Sequence, residues 1–242
     1  MTRRYGIVVI GNEVLSGKVD DINSTWLMKG LRELGGRIER VVIIPDDVEI
    51  IAEQVALFAR LFDVVFTSGG VGPTHDDMTF LGVARAFDRP LRRNAEMVEV
   101  IEKFFAGRDP TAYMKMADLP EGVELVWTPG MPFPTTKVQN VWILPGDPAA
   151  LRRKFEGIRE RFRESPFRLR RIYTTLEEGD LKDLMAAVEA EHVGLQVGSY
   201  PVYDDRPYRV QITLESKDAG LVEAALQRLL AAIPAAAIWQ LD

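Results

Sequence analysis

Val64-Val65-Phe66-Thr67-Ser68-Gly69-Gly70-Val71-Gly72-Pro73-Thr74-His75-Asp76-Asp77-Met78-Thr79 is the stretch whose reading decides the fold. Val64–Phe66 are β-formers, and from Phe80 to Phe87 apolar residues return at helical spacing. A strand therefore empties through a glycine-rich turn into the start of a helix. Glycines accept positive φ and leave main-chain N–H groups uncovered. The following helix aims its unpaired N–H groups and positive dipole end at the same spot, which favours phosphate. Asp76 and Asp77 would repel such an anion unless a divalent cation sat between them, so the stretch reads as a phosphate-and-metal site. Read more plainly, Gly-Gly is ordinary turn chemistry and an Asp before a helix is an N-cap.

Upstream, Tyr5–Ile10 is a continuous apolar run closed by Gly11, the pattern of a strand buried on both faces. Gly11–Lys18 superficially suggests a P-loop but fails its spacing, and Val19 stands where Ser or Thr should follow the Lys. A helix carrying Trp26, Leu27, Leu31 and Leu34 follows, with Asn23 or Ser24 as its cap, ending at Gly35-Gly36. Val41–Ile44 is a second buried strand closed by Pro45-Asp46-Asp47. Val48, Ile51, Val55, Phe58 and Phe62 then trace a helix back to the opening stretch. This order predicts an α/β fold, a three-layer α/β/α arrangement around a mostly parallel sheet. Ligands of such sheets lie beyond the carboxyl ends of the strands, the rim shared by Gly11–Glu13, Pro45–Asp47 and Thr67–Asp77.

Downstream, a helix spans Asn94 to about Phe105, and Tyr113, Met114 and Met116 read as core filler. Thr128–Pro134 cannot be regular structure, because Pro129, Pro132 and Pro134 interrupt it. Val138–Leu144 is expected as one strand, ended by Pro145-Gly146-Asp147-Pro148 and followed by a helix from Ala149 to Phe162. Arg152, Arg153, Lys154, Arg159, Arg161 and Arg163 crowd this region. Glu156, Glu160 and Glu164 interleave with them, which favours intrahelical pairing on a solvated face over an RNA-binding stripe. The character changes near Ser165-Pro166, which divides the chain into residues 1–165 and a small α+β domain over 166–242. Tyr208, Val210, Ile212 and Leu214 alternate with polar residues, as in a sheet with one wet face. Gly198-Ser199-Tyr200-Pro201 lacks the second glycine of a nucleophile elbow and reads as a hairpin turn.

Of the 242 residues, 47% are hydrophobic, enough for a substantial core, and no run is long enough to cross a bilayer. The N-terminus enters a strand at once, and a cytoplasmic protein is expected. With no cysteine, disulfide and thiolate chemistry are excluded, and with two histidines any metal is expected to be hard and oxygen-bound. A net charge of −6 argues against a nucleic-acid binder.

Gly69, Gly70, Gly72, Asp77 and Thr79 resemble the signature loop of the molybdopterin-binding (MoaB/Mog, or MoCF) superfamily, a Gly-Gly-x-Gly turn followed by Asp-x-Thr. Gly11-Asn12-Glu13-Val14-Leu15-Ser16-Gly17 is similar to the opening of CinA-type proteins, and Pro145-Gly146-x-Pro148 to a turn lining their nucleotide pocket. Lys137–Gly146, Ser165–Phe167, Val197–Pro201 and Val210–Leu214 look like the molybdopterin-binding-like module of animal FAD synthase. The CinA Thr-Ala-Pro-Gly segment is missing, with Pro132-Phe133-Pro134-Thr135 near its place. The resemblance implies that Asp46 partners Asp77 in holding a divalent metal (Mg²⁺, Co²⁺ or Mn²⁺), where Pro-Asp-Asp alone would be a turn and cap. It assigns Asp76 to metal or water activation and phosphate to the amides of Ser68, Gly69, Gly70 and Gly72. Thr74 and Thr79 orient the ligand loop, and Pro145 and Gly146 line the pocket. Glu13 is either a metal or ribose contact or a solvated loop acid. The activity implied is hydrolysis of a nucleotide pyrophosphate such as ADP-ribose or FAD. Alternatives are binding or adenylylation of molybdopterin in molybdenum cofactor biosynthesis, and a non-catalytic ligand-binding module. The partner is a small nucleotide or pterin phosphate, and self-association is expected.

Overall fold

The computed structural model describes residues 2–242, and these divide into two units, one ending at Glu164 and one beginning at Ser165. In the first unit, β1 (Arg4–Ile10) leads through a single helical turn, α1 (Asn12–Leu15), to α2 (Ile22–Glu33), then β2 (Arg37–Ile44), α3 (Val48–Leu61) and β3 (Val64–Ser68). After the glycine loop come α4 (Thr79–Ala86), a short hairpin of β4 (Leu91–Arg93) with β5 (Asp118–Pro120), and between its arms α5 (Ala95–Phe104) and a 3₁₀ segment, Thr111–Ala117. β6 (Glu124–Val126), β7 (Thr135–Val138), β8 (Val141–Leu144) and α6 (Pro148–Ile158) complete the unit, with a last 3₁₀ turn at Arg159–Phe162.

The main sheet runs β2-β1-β3-β8-β7-β6. β2, β1, β3 and β8 are parallel, whereas β7 and β6 add antiparallel strands at one side. β1 shows why both faces are covered. Ile7 and Val9 pack with Leu27 and Leu31 of α2 and Leu151 and Phe155 of α6, while Val8 and Ile10 pack with Ile51, Val55 and Phe58 of α3. Successive strand residues point to opposite faces, so a run without polar alternation needs a helix layer on each side. The result is the three-layer α/β/α unit expected.

Local details depart from the sequence reading. Asp21, not Asn23 or Ser24, caps α2 by accepting from the Ser24 amide at 2.9 Å. The expected strand Val138–Leu144 is two strands: Gln139 takes φ 52°, the chain reverses, and Val138 pairs with Val141. Asn140 holds that turn by donating from Nδ2 to the carbonyls of Ala59 (3.0 Å) and Phe62 (2.9 Å). A Gln-Asn turn lacks the glycine that usually announces a hairpin.

The second unit runs β9 (Arg168–Thr174), α7 (Glu178–Glu191), β10 (Gln196–Pro201), β11 (Val210–Ser216), α8 (Ala219–Leu230) and β12 (Ile238–Leu241). Its sheet has the order β10-β11-β9-β12 with every pair antiparallel, the βαββαβ arrangement of a ferredoxin-like module. Val210, Ile212 and Leu214 are buried against Leu181 and Val188 of α7 and Val222 and Leu226 of α8, while their neighbours Gln211 and Thr213 stay partly exposed. Gly198–Pro201 lie inside β10 rather than in a turn, because each pairs across to β11.

Candidate functional site

Parallel pairing aligns the ends of four strands at one rim. Ile10 is opposite Ile44, Val9 opposite Ser68, and Ser68 opposite Leu144. The last rungs are made by loop residues: Gly11 donates to the Ile44 carbonyl and Gly69 to the Leu144 carbonyl, each at 3.1 Å. The segments after β1, β2, β3 and β8 thus leave the sheet side by side.

The glycine loop is set mainly by its own backbone. Gly69 has φ 106°, and a Cβ there would sit 2.1 Å from the Ile10 carbonyl oxygen. Gly70 has φ 63°, and its Cβ would sit 2.4 Å from Thr79 Oγ1. Both positions lie in the left-handed region that only glycine enters without strain. Thr79 locks the turn to the first residue of α4: fully buried, it donates from Oγ1 to the Gly69 carbonyl at 2.8 Å and from its amide to the Gly70 carbonyl at 2.9 Å. Thr79 therefore orients the loop and does not reach a ligand. Ser68 is also buried, and the Gly69 amide is spent on Leu144. The amides of Gly70, Val71 and Gly72 have no protein acceptor among the described residues. The anion-facing set is thus shorter than Ser68–Gly72 by its first two members.

Asp77 is not a helix cap. Its carboxylate turns back into the loop, accepting from the Thr74 amide at 2.8 Å and from the Thr74 hydroxyl at 2.5 Å, while Met78 is the N-cap of α4 and no side chain caps that helix. Gly72 makes room for this, since a Cβ there would stand 2.7 Å from Asp77 Oδ2. The Thr74 hydroxyl also lies 2.6 Å from Asp76 Oδ1, and that bond, first among several causes, holds the exposed Asp76 carboxyl below its ordinary range. Asp46, beyond β2, accepts from the Asn12 amide at 2.8 Å. Burial, together with repulsion from Glu13, Asp76 and Asp77, pushes the Asp46 carboxyl up despite that bond. Acids from three different strand ends therefore feel one another, and among the described residues none of these carboxylates is ion-paired. Asp46 and Asp77, expected from resemblance to share one site, follow β2 and β3, which flank β1 and end at the same rim.

Three contributing residues escaped the sequence reading. Asn23, nearly buried on α2, donates from Nδ2 to Ser68 Oγ (3.1 Å) and to the Gly146 carbonyl (2.7 Å), tying the β3 end to the Pro145–Pro148 turn. Its Oδ1 is buried without a partner. Gly146 packs closely here, since a Cβ on it would sit 3.3 Å from the Gly69 Cα, a tight contact. Lys115 Nζ donates to the Thr74 carbonyl, pinning the 3₁₀ segment to the acid loop and bringing a cation near Asp76. Lys154 is the third. Read from sequence as part of a solvated basic face, it instead turns inward to donate to the carbonyls of Phe133 and Pro134. It lies three residues after Leu151 and one before Phe155, beside the buried stripe of α6. Two of the arginines pair locally as expected, Arg159 with Glu156 at 2.9 Å and Arg163 with Glu160 at 2.6 Å, whereas Arg152 lies over the Trp26 ring and Arg159 also reaches Glu33 of α2.

Among the described residues no three His, Asp or Glu side chains stand close enough to form a cation site by themselves. The donor set is all oxygen, and Mg²⁺ is commonly held by one or two carboxylates with the rest of its shell from phosphate and water. Asp46 and Asp77 fit that partial, ligand-completed mode.

Residues 6–164 match the family described as "Probable molybdopterin binding domain". The chain belongs to that family. Residues 166–242 match a second family, "FAD synthase, middle domain". A protein of Archaeoglobus fulgidus is 34% identical over 92% of this chain and 94% of its own length. A "Probable FAD synthase" of Caenorhabditis briggsae is 33% identical over 93% of this chain, and a "CinA-like protein" of Syntrophus aciditrophicus is 30% identical over 99% of it. The chain spans only 49% of the former and 59% of the latter. Among solved structures, CinA from Thermoplasma acidophilum superposes with a TM-score of 0.60 at 26% identity, covering 67% of this chain and all of that one. The molybdopterin-binding fold with CinA-like and FAD-synthase-like relatives is thereby established. No helix among the described residues is long and apolar enough to cross a membrane.

Proposed function

We propose that the first unit binds a nucleotide diphosphate diester at the β-strand rim and hydrolyses its pyrophosphate bond, releasing AMP from a substrate of the ADP-ribose or FAD type. One observation carries this reading: Asp46 and Asp77, neither ion-paired among the described residues, follow strands that end at one rim, and Asp77 lies against Gly72 of the uncommitted Gly70–Gly72 amides. Amides aimed at an anion stabilise its charge, but the adjoining acids would expel it without a counter-cation. Asp46 and Asp77 are the residues that would hold a divalent metal. When bound, such an ion supplies charge neutralisation for the diphosphate and a more acidic water.

The chain's own residues do the rest. The Gly70–Gly72 amides fix the phosphoryl oxygens. Asp77, itself held by Thr74, keeps the loop closed around them, and Asn23 holds the opposing turn in place. Asp76, exposed on the same loop, takes the proton of the attacking water. Water oxygen bonds to the AMP phosphorus and the bridging oxygen leaves with the second phosphoryl, so ADP-ribose plus water gives AMP and ribose 5-phosphate. The family description favours one other reading, the binding or adenylylation of a pterin phosphate. Incubating purified protein with dinucleotides and Mg²⁺, Co²⁺ or Mn²⁺ separates the two: AMP release that chelator stops supports hydrolysis, and no AMP with tight pterin-phosphate binding supports the other. Metal-independent nucleotide binding without turnover would indicate a non-catalytic module.

A further inference from the structure

In the second unit β9 changes character along one face. Arg168, Arg170, Ile172 and Thr174 alternate on the side that α7 and α8 cover, opposite Ser216, Leu214, Ile212 and Val210 of β11. Ile172 and Thr174 are buried there, whereas the two arginines are exposed. Where the buried stripe stops, a cavity of about 540 Å³ opens between Arg168 and Arg170 on the strand and Ala219, Val222 and Glu223 on α8, with Phe167 also in its wall. That volume lies within the roughly 300–1,000 Å³ of small-molecule pockets. The cations around it are largely uncommitted. Arg168 has no carboxylate partner among the described residues. Arg170 meets only Glu223, at 3.7 Å, beyond hydrogen-bond reach and with both side chains half exposed. Lys217 lies over the Phe167 ring at 5.2 Å and adds a third positive charge beside the wall. The neighbouring acid, Asp218, is spent as the cap of α8 on the amides of Gly220 (2.8 Å) and Leu221 (3.3 Å), so the helix end itself is already satisfied.

We propose that this cavity binds the phosphate monoester of a small organic molecule, with Arg168 and Arg170 gripping the terminal phosphate and the organic body lying along Phe167 and Val222. The site lies wholly within the second unit and stands whether or not the first is a hydrolase. A guanidinium presents its N–H donors in a planar fork that matches phosphate oxygens two at a time. Residues two apart on a strand leave it side by side, roughly 7 Å from each other, and long stems at that spacing can converge on one tetrahedral anion. A terminal phosphate brings about two negative charges and three free oxygens, more than the single carboxylate of Glu223 offers, so it takes Arg170 from that partner. A phosphodiester keeps one charge and two free oxygens and fits the paired forks less well. Packing accounts for the arginine stems over Val222 but not for their heads, since Met or Lys would cover the same surface.

The test is calorimetric titration of the full chain with AMP, ribose 5-phosphate and inorganic phosphate, in chelator so that any metal-completed site of the first unit is silent. An organic ester should bind more tightly than inorganic phosphate, and the tighter ester identifies the body. Arg168→Met and Arg170→Met keep the stem and remove the fork, and each should weaken binding about tenfold or more, the scale of a hydrogen bond to a charged group. Glu223→Gln removes the competing carboxylate and should tighten binding severalfold, the scale of a half-exposed ion pair, a gain that a merely structural pair would not give. This variant also decides the matter if an arginine variant does not fold. Asp77→Asn, in the other unit, should leave every affinity unchanged, and a loss there would move the binding to the glycine loop and overturn the proposal. It is overturned equally if no monoester binds, if both arginine variants bind as wild type does, if Glu223→Gln does not tighten binding, or if inorganic phosphate matches both esters. A single-stranded oligonucleotide that binds where no monoester does would overturn it in favour of a nucleic-acid surface.

Discussion

Replacing Lys154 with Met should make the protein's stability lose a pH dependence that wild type has. Burial alone lowers the Lys154 ammonium from its ordinary 10.5 to about 8. Below pH 8 both folded and unfolded chains carry the proton, and the folded chain bears the whole burial penalty, about 3 kcal/mol. As pH climbs from 8 towards 10.5 the folded chain sheds the proton first, the unfolded chain binds more protons, and wild-type stability rises through this group. About 2 kcal/mol of the penalty is recovered between pH 7 and pH 9.5. Met is nearly the same length and apolar, so it carries no such term. It leaves the Phe133 and Pro134 carbonyls without their donor, a pH-independent offset of about 1–3 kcal/mol that cancels when two pH values are compared. Urea unfolding followed by tryptophan fluorescence reads the effect, since Trp26, Trp127 and Trp142 all lie in the first unit. The expected result is a wild-type-minus-variant difference that moves by about 2 kcal/mol in favour of wild type from pH 7 to pH 9.5. A difference that stays flat with pH would refute the placement of a charged Lys154 in an apolar wall.

Gly69→Ala should lower stability by more than about 2 kcal/mol in thermal unfolding, because its left-handed backbone and its collision with the Ile10 carbonyl add. Gly130→Ala, also at positive φ but with open space around it, should cost only about 1–2 kcal/mol, and equal losses would argue against the close approach at Gly69. Asp77→Asn should reduce metal-dependent AMP release by more than about 100-fold, beyond what outer-shell partners typically contribute. Asp46→Asn should show a similar activity loss with unchanged or raised Tm, since Asn still accepts from the Asn12 amide and removes a repelled charge; a lowered Tm would show that Asp46 is structural. Asn23→Ala should cost about 1–3 kcal/mol and raise KM for a dinucleotide, and hydrogen exchange that stays slow in the glycine loop would count against the tie it makes.

The layered architecture and the rim were legible because they rest on signals carried by neighbouring residues. Tyr5–Ile10 has no polar alternation, so it had to be covered on both faces, and parallel strands bring their ends together wherever short connections link them. The acids at positions 46, 76 and 77 were visible for the same reason. What the sequence hid depends on side-chain direction and on pairs distant along the chain. Asn23 reads as a cap candidate but faces away from its own N-terminus to reach Ser68 and Gly146, 45 and 123 residues on. Lys154 sits among arginines that do lie on a solvated face, and only the angle it shares with Ala150 around α6 turns it inward. Asp77 looks like an N-cap in every local respect. That its carboxylate serves Thr74 instead follows from the turn at Gly70 and Gly72, whose geometry the one-dimensional pattern does not specify. The hairpin at Gln139-Asn140 was missed because its stabilising partners, the Ala59 and Phe62 carbonyls, come from the end of α3.

Nucleotide chemistry at the rim can be read directly by following AMP from ADP-ribose with the purified chain, first stripped with chelator and then resupplied with Mg²⁺, Co²⁺ or Mn²⁺. The arrangement of acids and free amides at one rim predicts turnover that vanishes on stripping, returns with the ion, and is absent in Asp77→Asn at any metal concentration. Turnover that survives in chelator, or that Asp77→Asn leaves intact, would contradict it.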